Sequence, residues 1–257
     1  MSLYQLWVTF STIVIKEVRR FMRIWVQTLI PPIITMALYF VIFGNLIGRR
    51  VGEMGGFDYV DYIVPGLIMM SVITNSYSNV VSSFYSAKFQ HQIEEVLVSP
   101  TPNFLILAGY IVGGVARGLA VGFIVTLVSL FFTELHIAHL WIMISVVIMT
   151  SVLFALGGFL NAIYAKNFDD ISIIPNFVLT PLTYLGGVFY SIDLLPEFWR
   201  NLSLVNPILY MVNAFRYGVL GVADIGLGTA FGVIGLFIVA FFSLGLYLLK
   251  NSTGLRS

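Results

Sequence analysis

Five stretches of this chain, 24–48, 62–87, 140–165, 171–192 and 225–249, contain no Asp, Glu, Lys or Arg. A helix crosses the roughly 30 Å hydrocarbon core of a bilayer with about 20 predominantly apolar residues, so each run is long enough to span one. A sixth run, 104–132, is interrupted only by Arg117. Six such runs fill nearly all of the 257 residues and leave no segment for a sizeable soluble domain. The composition agrees: 59% of residues are hydrophobic and 10% charged, against about 25% charged in a soluble domain. The expectation is an all-α membrane protein of one domain over 1–257. Its six spans are placed at 24–48, 60–83, 104–132, 140–165, 171–191 and 226–249.

What the chain lacks excludes much chemistry. There is no cysteine, hence no disulfide framework, thiol nucleophile or sulfur-ligated metal. His91, His136 and His139 fall at span ends or in loops, so no metal site and no catalytic residue is assigned. The net charge of +1 gives no sign of a nucleic-acid partner. The apolar patch 6–15 is too short for a cleavable signal and lacks a basic lead.

With both termini in the cytoplasm, the inner segments hold Lys16, Arg19, Arg20, Arg23, Lys88, Lys166, Lys250 and Arg256. The outer ones then hold Arg49, Arg50, Arg200 and Arg216, and the excess of basic residues inside favours that orientation. Residues 1–23 read as an amphipathic interface helix. Leu6, Phe10, Ile13, Val14 and Phe21 fall on one face, and Lys16, Arg19, Arg20 and Arg23 lie where lipid phosphates attract them. Trp25 follows at an interfacial position, and Pro31–Pro32 kink the first span.

In the second span Ser71, Thr74, Asn75, Ser78, Asn79 and Ser82 recur at helical spacing along one face. The fifth repeats the pattern with Asn176, Thr180, Thr183 and Tyr184. Such stripes either hydrogen-bond helices together or line a water-accessible substrate pathway. Gly114, Gly118 and Gly122, with Gly109 and Gly113, give the third span a close-packing ridge. Beside it, Arg117 costs about 2.5–3.5 kcal/mol on insertion scales unless it faces protein or water. Its partners are helix carbonyls, the polar stripes or an anionic substrate head, because no acid lies within any of the six runs.

The cytoplasmic segment 84–100 reads as a short amphipathic helix. Phe89, Ile93, Val96 and Leu97 share a face, Glu94 and Glu95 are polar, and Ser99-Pro100-Thr101-Pro102 ends it. It suits docking to a soluble partner or serving as an interfacial connector. The stretch 181–218 is too apolar for a soluble loop, yet Gly186–Gly187, Pro196 and Pro207 interrupt it. Irregular backbone cannot face lipid, so it packs inside protein or lines a cavity.

The run EEVLVSPTP (94–102), GYIVGGVARG (109–118) and the 181–218 stretch together resemble type-2 ABC exporter permeases, in the drug, lipid and polysaccharide exporter branch. The matching positions in the last stretch are Pro181, Leu182, Thr183, Gly187, Val188, Phe189, Leu195, Pro196, Asn206, Pro207 and Arg216. The resemblance covers essentially the full chain. It implies a multi-pass subunit of a bacterial inner membrane, working as a homodimer with two separate ATPase subunits that hold ATP and Mg. Residues 84–100 would then be the coupling helix, meeting the ATPase through Phe89, Ile93, Glu94, Glu95, Leu97, Ser99 and Pro100. Residues 192–220 would form two short re-entrant helices of an outer gate that includes Gly187, Phe189, Pro196, Asn206, Pro207 and Arg216. The substrate pathway would follow Ser71, Thr74, Asn75, Ser78, Asn79, Asn176, Thr180, Thr183 and Tyr184.

This chain has no G-x-x-x-x-G-K-[ST] phosphate loop and itself holds no cofactor. Tyr39, Phe40, Tyr62, Tyr77, Phe177, Tyr184 and Tyr190 either stack on a sugar-like cargo or pack against protein and lipid. Against a stand-alone ion-coupled secondary transporter stands the lack of a mid-membrane acid, and against an intramembrane enzyme the peripheral histidines and carboxylates.

Overall fold

The computed structural model describes residues 2–135 and 137–251. His136 and the tail 252–257, including Arg256, lie outside the described residues, as do the side chains of Asn45 and Arg49. Helix α1 (Leu3–Arg23) opens on a capping box in which Ser2 Oγ accepts from the Gln5 amide and Gln5 Oε1 accepts from the Ser2 amide. Helix α2 (Trp25–Tyr39) runs through a π-helical stretch, Phe40–Ile47, into the short α3 (Gly48–Val51). A minimal hairpin, β1 (Glu53–Met54) with β2 (Phe57–Asp58), turns on Gly55 and Gly56. Both have positive φ, the backbone that a two-residue hairpin turn demands.

Helix α4 (Tyr59–Phe89), 31 residues long, is the axis of the molecule. Against it pack α6 (Asn103–Ser129) and α7 (Leu140–Tyr164), reached through the short α5 (Gln92–Val98). Next come α8 (Asp170–Ile174), a π-helical stretch Pro175–Leu179 and α9 (Thr180–Tyr184), which follow one another without a break. Two shorter helices, α10 (Glu197–Leu204) and α11 (Pro207–Leu220), precede the last long helix, α12 (Leu227–Asn251). The hairpin marks one end of the bundle and α5 the other.

Among the described residues, four helical segments are long and apolar enough to cross a membrane: Trp25–Gly44, Asn103–Ser129, Leu140–Tyr164 and Leu227–Asn251. Their outward faces carry large exposed apolar side chains, among them Ile34, Phe123, Trp141 and Leu236. That is the surface of a protein whose solvent is hydrocarbon. Helix α4 has the length, but its polar positions dilute its apolar character. The expected fifth span, 171–191, is helical only to Tyr184. At about 1.5 Å per residue the run Asp170–Tyr184 rises only about 22 Å. The chain then turns at Gly187, φ 69°, and the backbone of Val188 presses onto α4 at Gly66, where a Cβ would come within 2.6 Å of the Val188 carbonyl oxygen. The π-helical turn between α8 and α9 has a local cause. Pro175 and Pro181 each lack an amide hydrogen, and the Thr180 amide bonds the Pro175 carbonyl instead.

The segment 84–100, expected as one helix, is two. Residues 84–89 complete α4, and His91 takes a left-handed conformation, φ 57°, that redirects the chain before α5. The glycine ridge of α6 serves three partners, for a Cβ at Gly118 would come within 2.8 Å of Ser151 of α7. Gly114 and Gly122 abut α4, where added Cβ atoms would meet Val80 at 2.6 Å and Val72 at 2.8 Å. Gly109 and Gly113 abut α1, where they would meet Ile13 and Glu17, each at 2.5 Å. Helix α1 is therefore seated in the bundle. Glu17 and Phe21 are buried, while Leu3, Tyr4, Trp7 and Ile15 remain exposed.

Candidate functional site

The polar stripe of α4 divides between two neighbours. Ser71, Thr74, Asn75 and Ser78 face a cavity of about 300 Å³ that is walled on the other side by α2 from Gln27 to Met36 and closed at its back by Arg117 of α6. The Arg117 Nη2 donates to Asn75 Oδ1 at 3.1 Å. Asn75 in turn donates from Nδ2 to the Ser71 carbonyl, and Thr74 Oγ1 to the Met70 carbonyl. Asn79 points elsewhere and is fully buried. Arg20 of α1 donates from Nη2 to both its carbonyl (2.7 Å) and its Oδ1 (2.9 Å), and from Nη1 to Ser82 Oγ.

Beside Arg20 lies a residue that the sequence reading passed over. The Glu17 carboxylate is 0% exposed; it accepts from Ser83 Oγ at 2.7 Å and lies 3.7 Å from Arg20 Nε. Burial holds its pKa above the ordinary value, and the Ser83 hydrogen bond and the charge of Arg20 offset part of that. The same burial lowers the pKa of Arg20, against the attraction of Glu17. The signal was present in the spacing: Glu17 continues the apolar stripe of Phe10, Ile13, Val14 and Phe21. A charged residue on that stripe reads as surface until its partners on another helix are seen.

The second stripe is not brought to the first within one chain. Asn176 and Thr180 are exposed, and Tyr184 is 45% exposed. Thr183 is buried with its hydroxyl turned to the Leu179 carbonyl. Tyr184 stacks on Phe189, which also meets Tyr39 at the end of α2 and Phe43 in the π-helical stretch that follows. Of the other aromatics noted in the sequence, Phe40, Tyr62 and Tyr77 are core residues and Phe177 is 77% exposed.

The interrupted stretch 181–218 is anchored at defined points. Asn206 caps α11 by accepting from the Ile208 amide and donates from Nδ2 to the Leu182 carbonyl. Pro207 occupies the first turn of α11, where a missing amide hydrogen does no harm. Pro196 stands exposed before α10. Arg216 is 1% exposed. Its Nη2 donates to the Gly187 carbonyl at 2.6 Å and its Nε to the Tyr62 carbonyl at 3.4 Å. Tyr59 adds a bond from its hydroxyl to the Phe189 carbonyl.

At the opposite end, the residues assigned to docking on 84–100 take different places. Ile93 is 1% exposed and, with Leu97, packs inward. Phe89, Glu95 and Pro100 are exposed, as is Val98. Glu94 receives His91 Nδ1 at 2.7 Å, and Ser99 Oγ turns to the Val96 carbonyl. Among the described residues, no group of three His, Asp or Glu side chains is placed to hold a metal.

Over its full length the chain is 60% identical to the inner membrane transport permease YadH of Escherichia coli (strain K12), covering 100% of both. It is 22% identical to nodulation protein J of Rhizobium leguminosarum bv. viciae over 83% of each chain. Nodulation protein J of Rhizobium meliloti (strain 1021) is 20% identical, over 83% of this chain and 82% of that one. Residues 8–220, which hold the α4 stripe, the Arg117 cavity, α5 and the interrupted 181–218 stretch, match the ABC-2 type transporter family, and the chain belongs to it.

Proposed function

We propose that this chain is the membrane-spanning permease of an ATP-binding-cassette exporter in the inner membrane of a bacterium. Two copies form the pathway, and a separate pair of ATPase subunits supplies the driving force. The cargo is a drug, lipid or glycan-type molecule, moved outward. Six spans follow on this reading, with α4 and the α8–α9 run counted beside the four long apolar helices, and both termini in the cytoplasm. Residues 192–220 then form the re-entrant outer gate.

The observation that carries the reading is the Arg117 cavity: polar α4 positions and a mid-helix cation line an open space inside a bundle of a transporter family. Such a space between helices is where a transported molecule is bound. Support for the ATPase contact comes from α5, which is held to the core by Ile93 while Glu95 and Val98 face outward. A helix anchored on one side and bare on the other transmits motion of a docked partner to α4.

Copurification tests this directly. The chain, expressed with its cognate ATPase, should be recovered as a complex, and Glu95→Arg with Val98→Asp should abolish recovery while leaving membrane insertion intact. Full recovery of the ATPase with the double variant would overturn the docking assignment. Absence of any ATPase complex with the wild type would overturn the permease reading.

A further inference from the structure

We propose that the cavity between α2, α4 and α6 seats the anionic head of an amphiphile, a phosphate or carboxylate held by Arg117, with the apolar body leaving through the open side beside Thr74. This rests on the permease reading and names the class of molecule the pathway takes.

Three observations on the cavity carry it. The first is the state of the cation. A guanidinium has five N–H donors, yet Arg117 makes one side-chain bond, to Asn75, and its Nε is sequestered without an acceptor. Among the described residues no carboxylate lies within 4.0 Å of it. A charge in mid-membrane surroundings calls for a counter-charge, and the described residues do not provide one.

The second is that the wall beside it does not compete for the role. The hydroxyls of Ser71 and Thr74 donate to carbonyls of α4 itself. Arg117 is thus the charged donor on a lining whose other side chains, Gln27, Thr35 and Ser78 among them, are neutral. Its planar fork matches phosphate and carboxylate oxygens in pairs.

The third is the asymmetry of the walls. Opposite the cation the α2 wall carries no charge: Pro31 and Pro32 contribute no amide hydrogens and, with Met36 and Met70, offer apolar surface beside the neutral Gln27, Thr28 and Thr35. A volume of about 300 Å³ lies at the small end of ligand pockets, roughly 300–1,000 Å³. It holds a head and the first part of a chain, not a whole lipid. The cavity is open on one side, and Thr74 is exposed there. The remainder of such a ligand can therefore stay in the hydrocarbon.

The test is native mass spectrometry of the full-length chain, titrated with phosphatidylglycerol, with phosphatidylcholine of the same acyl chains, and with inorganic phosphate. Phosphatidylglycerol should be retained about tenfold more tightly than phosphatidylcholine. The Arg117→Gln variant should bring the ratio near one, and Arg117→Lys should keep most of it. Equal retention of the two lipids by the wild type, or unchanged discrimination in Arg117→Gln, overturns the proposal. Displacement of the lipid by inorganic phosphate at the same concentration would assign the site to a soluble anion and overturn the amphiphile. The wild-type ratio needs no variant, so poor folding of Arg117→Gln leaves the test standing. ATPase copurification on the same preparations separates the two readings. Assembly without lipid discrimination overturns the pocket alone, and discrimination without assembly overturns the permease assignment alone.

Discussion

The Arg216 guanidinium lies 4.0 Å from the centroid of the Tyr62 ring and, through Nη2, holds the Gly187 carbonyl 2.6 Å away. One side chain of α11 thereby clamps the turn after α9 onto the hairpin end of α4. The stretch that is too broken to face lipid is stabilised from within by a buried cation. The Gly187 carbonyl it satisfies is one that a regular helix would have paired for itself.

Arg216→Met keeps the apolar stem but leaves the Gly187 carbonyl without this donor and removes the contact with the ring. The orphaned Gly187 carbonyl costs about 1–3 kcal/mol and the ring contact up to about 2 kcal/mol. A loss of about 2–4 kcal/mol is expected, read as a lowered Tm of the purified chain in detergent. Arg216→Lys should fall between, since an ammonium cannot reach both carbonyls while stacking flat on the ring. A Met variant as stable as the wild type would refute the clamp.

Glycines in this bundle divide by what a methyl group would meet. At Gly158 of α7 a Cβ would lie 2.5 Å from the Tyr77 carbonyl oxygen, and at Gly66 of α4, 2.6 Å from that of Val188. Both obstacles are backbone, which cannot rotate away. At Gly228 nothing lies within 4 Å. Gly158→Ala and Gly66→Ala should each cost about 1–3 kcal/mol by overpacking. Gly228→Ala should be neutral or stabilising by up to about 1 kcal/mol, through helix propensity. Equal melting temperatures across the three variants would count against the packing described.

These examples mark what was legible in the sequence. The long helices were, because hydropathy and the absence of charge are local properties. The close-packing role of the α6 glycines was legible too, but not that Gly113 receives Glu17 while Gly114 receives Val80: spacing identifies a ridge and leaves its partner unnamed. The stop of α9 at Tyr184 was half legible, since Gly186–Gly187 signalled an interruption. The pressure of Val188 on Gly66 that fixes its place is a contact between residues far apart in the chain. The division at His91 was illegible, because a left-handed histidine carries no sequence signature comparable to glycine. The α4 stripe was visible as a stripe, yet its split between the Arg117 cavity and Arg20 depends on where α1 docks.

Lys88, near the end of α4, donates from Nζ to the carbonyls of Ile163 (2.6 Å) and Ala165 (2.9 Å). It caps the last turn of α7 with a positive charge, where the free carbonyls and the helix dipole favour a cation. Lys88→Met should cost about 1–3 kcal/mol and raise amide hydrogen exchange locally at the end of α7 and in 165–169. Unchanged exchange there would show that the cap contributes nothing.

The buried Glu17 gives the seat of α1 a pH dependence. Its pKa is raised above the ordinary 4.5, so in the range above 4.5 the folded chain holds this proton more tightly than the unfolded chain does. Where the folded state binds more protons, stability falls as pH rises. The favourable contribution of Glu17 is therefore complete below 4.5 and is lost as pH climbs through the raised pKa. In Glu17→Gln the side chain does not titrate, but its amide oxygen can still accept from Ser83. The Tm of the wild type should fall relative to that of Glu17→Gln as the pH is raised from 4.5 into the neutral range. The difference should shrink towards the acid end, where both carry a neutral side chain at this position. Parallel Tm profiles for the two proteins would mean that the carboxyl is not buried against Ser83 and Gly113 as described.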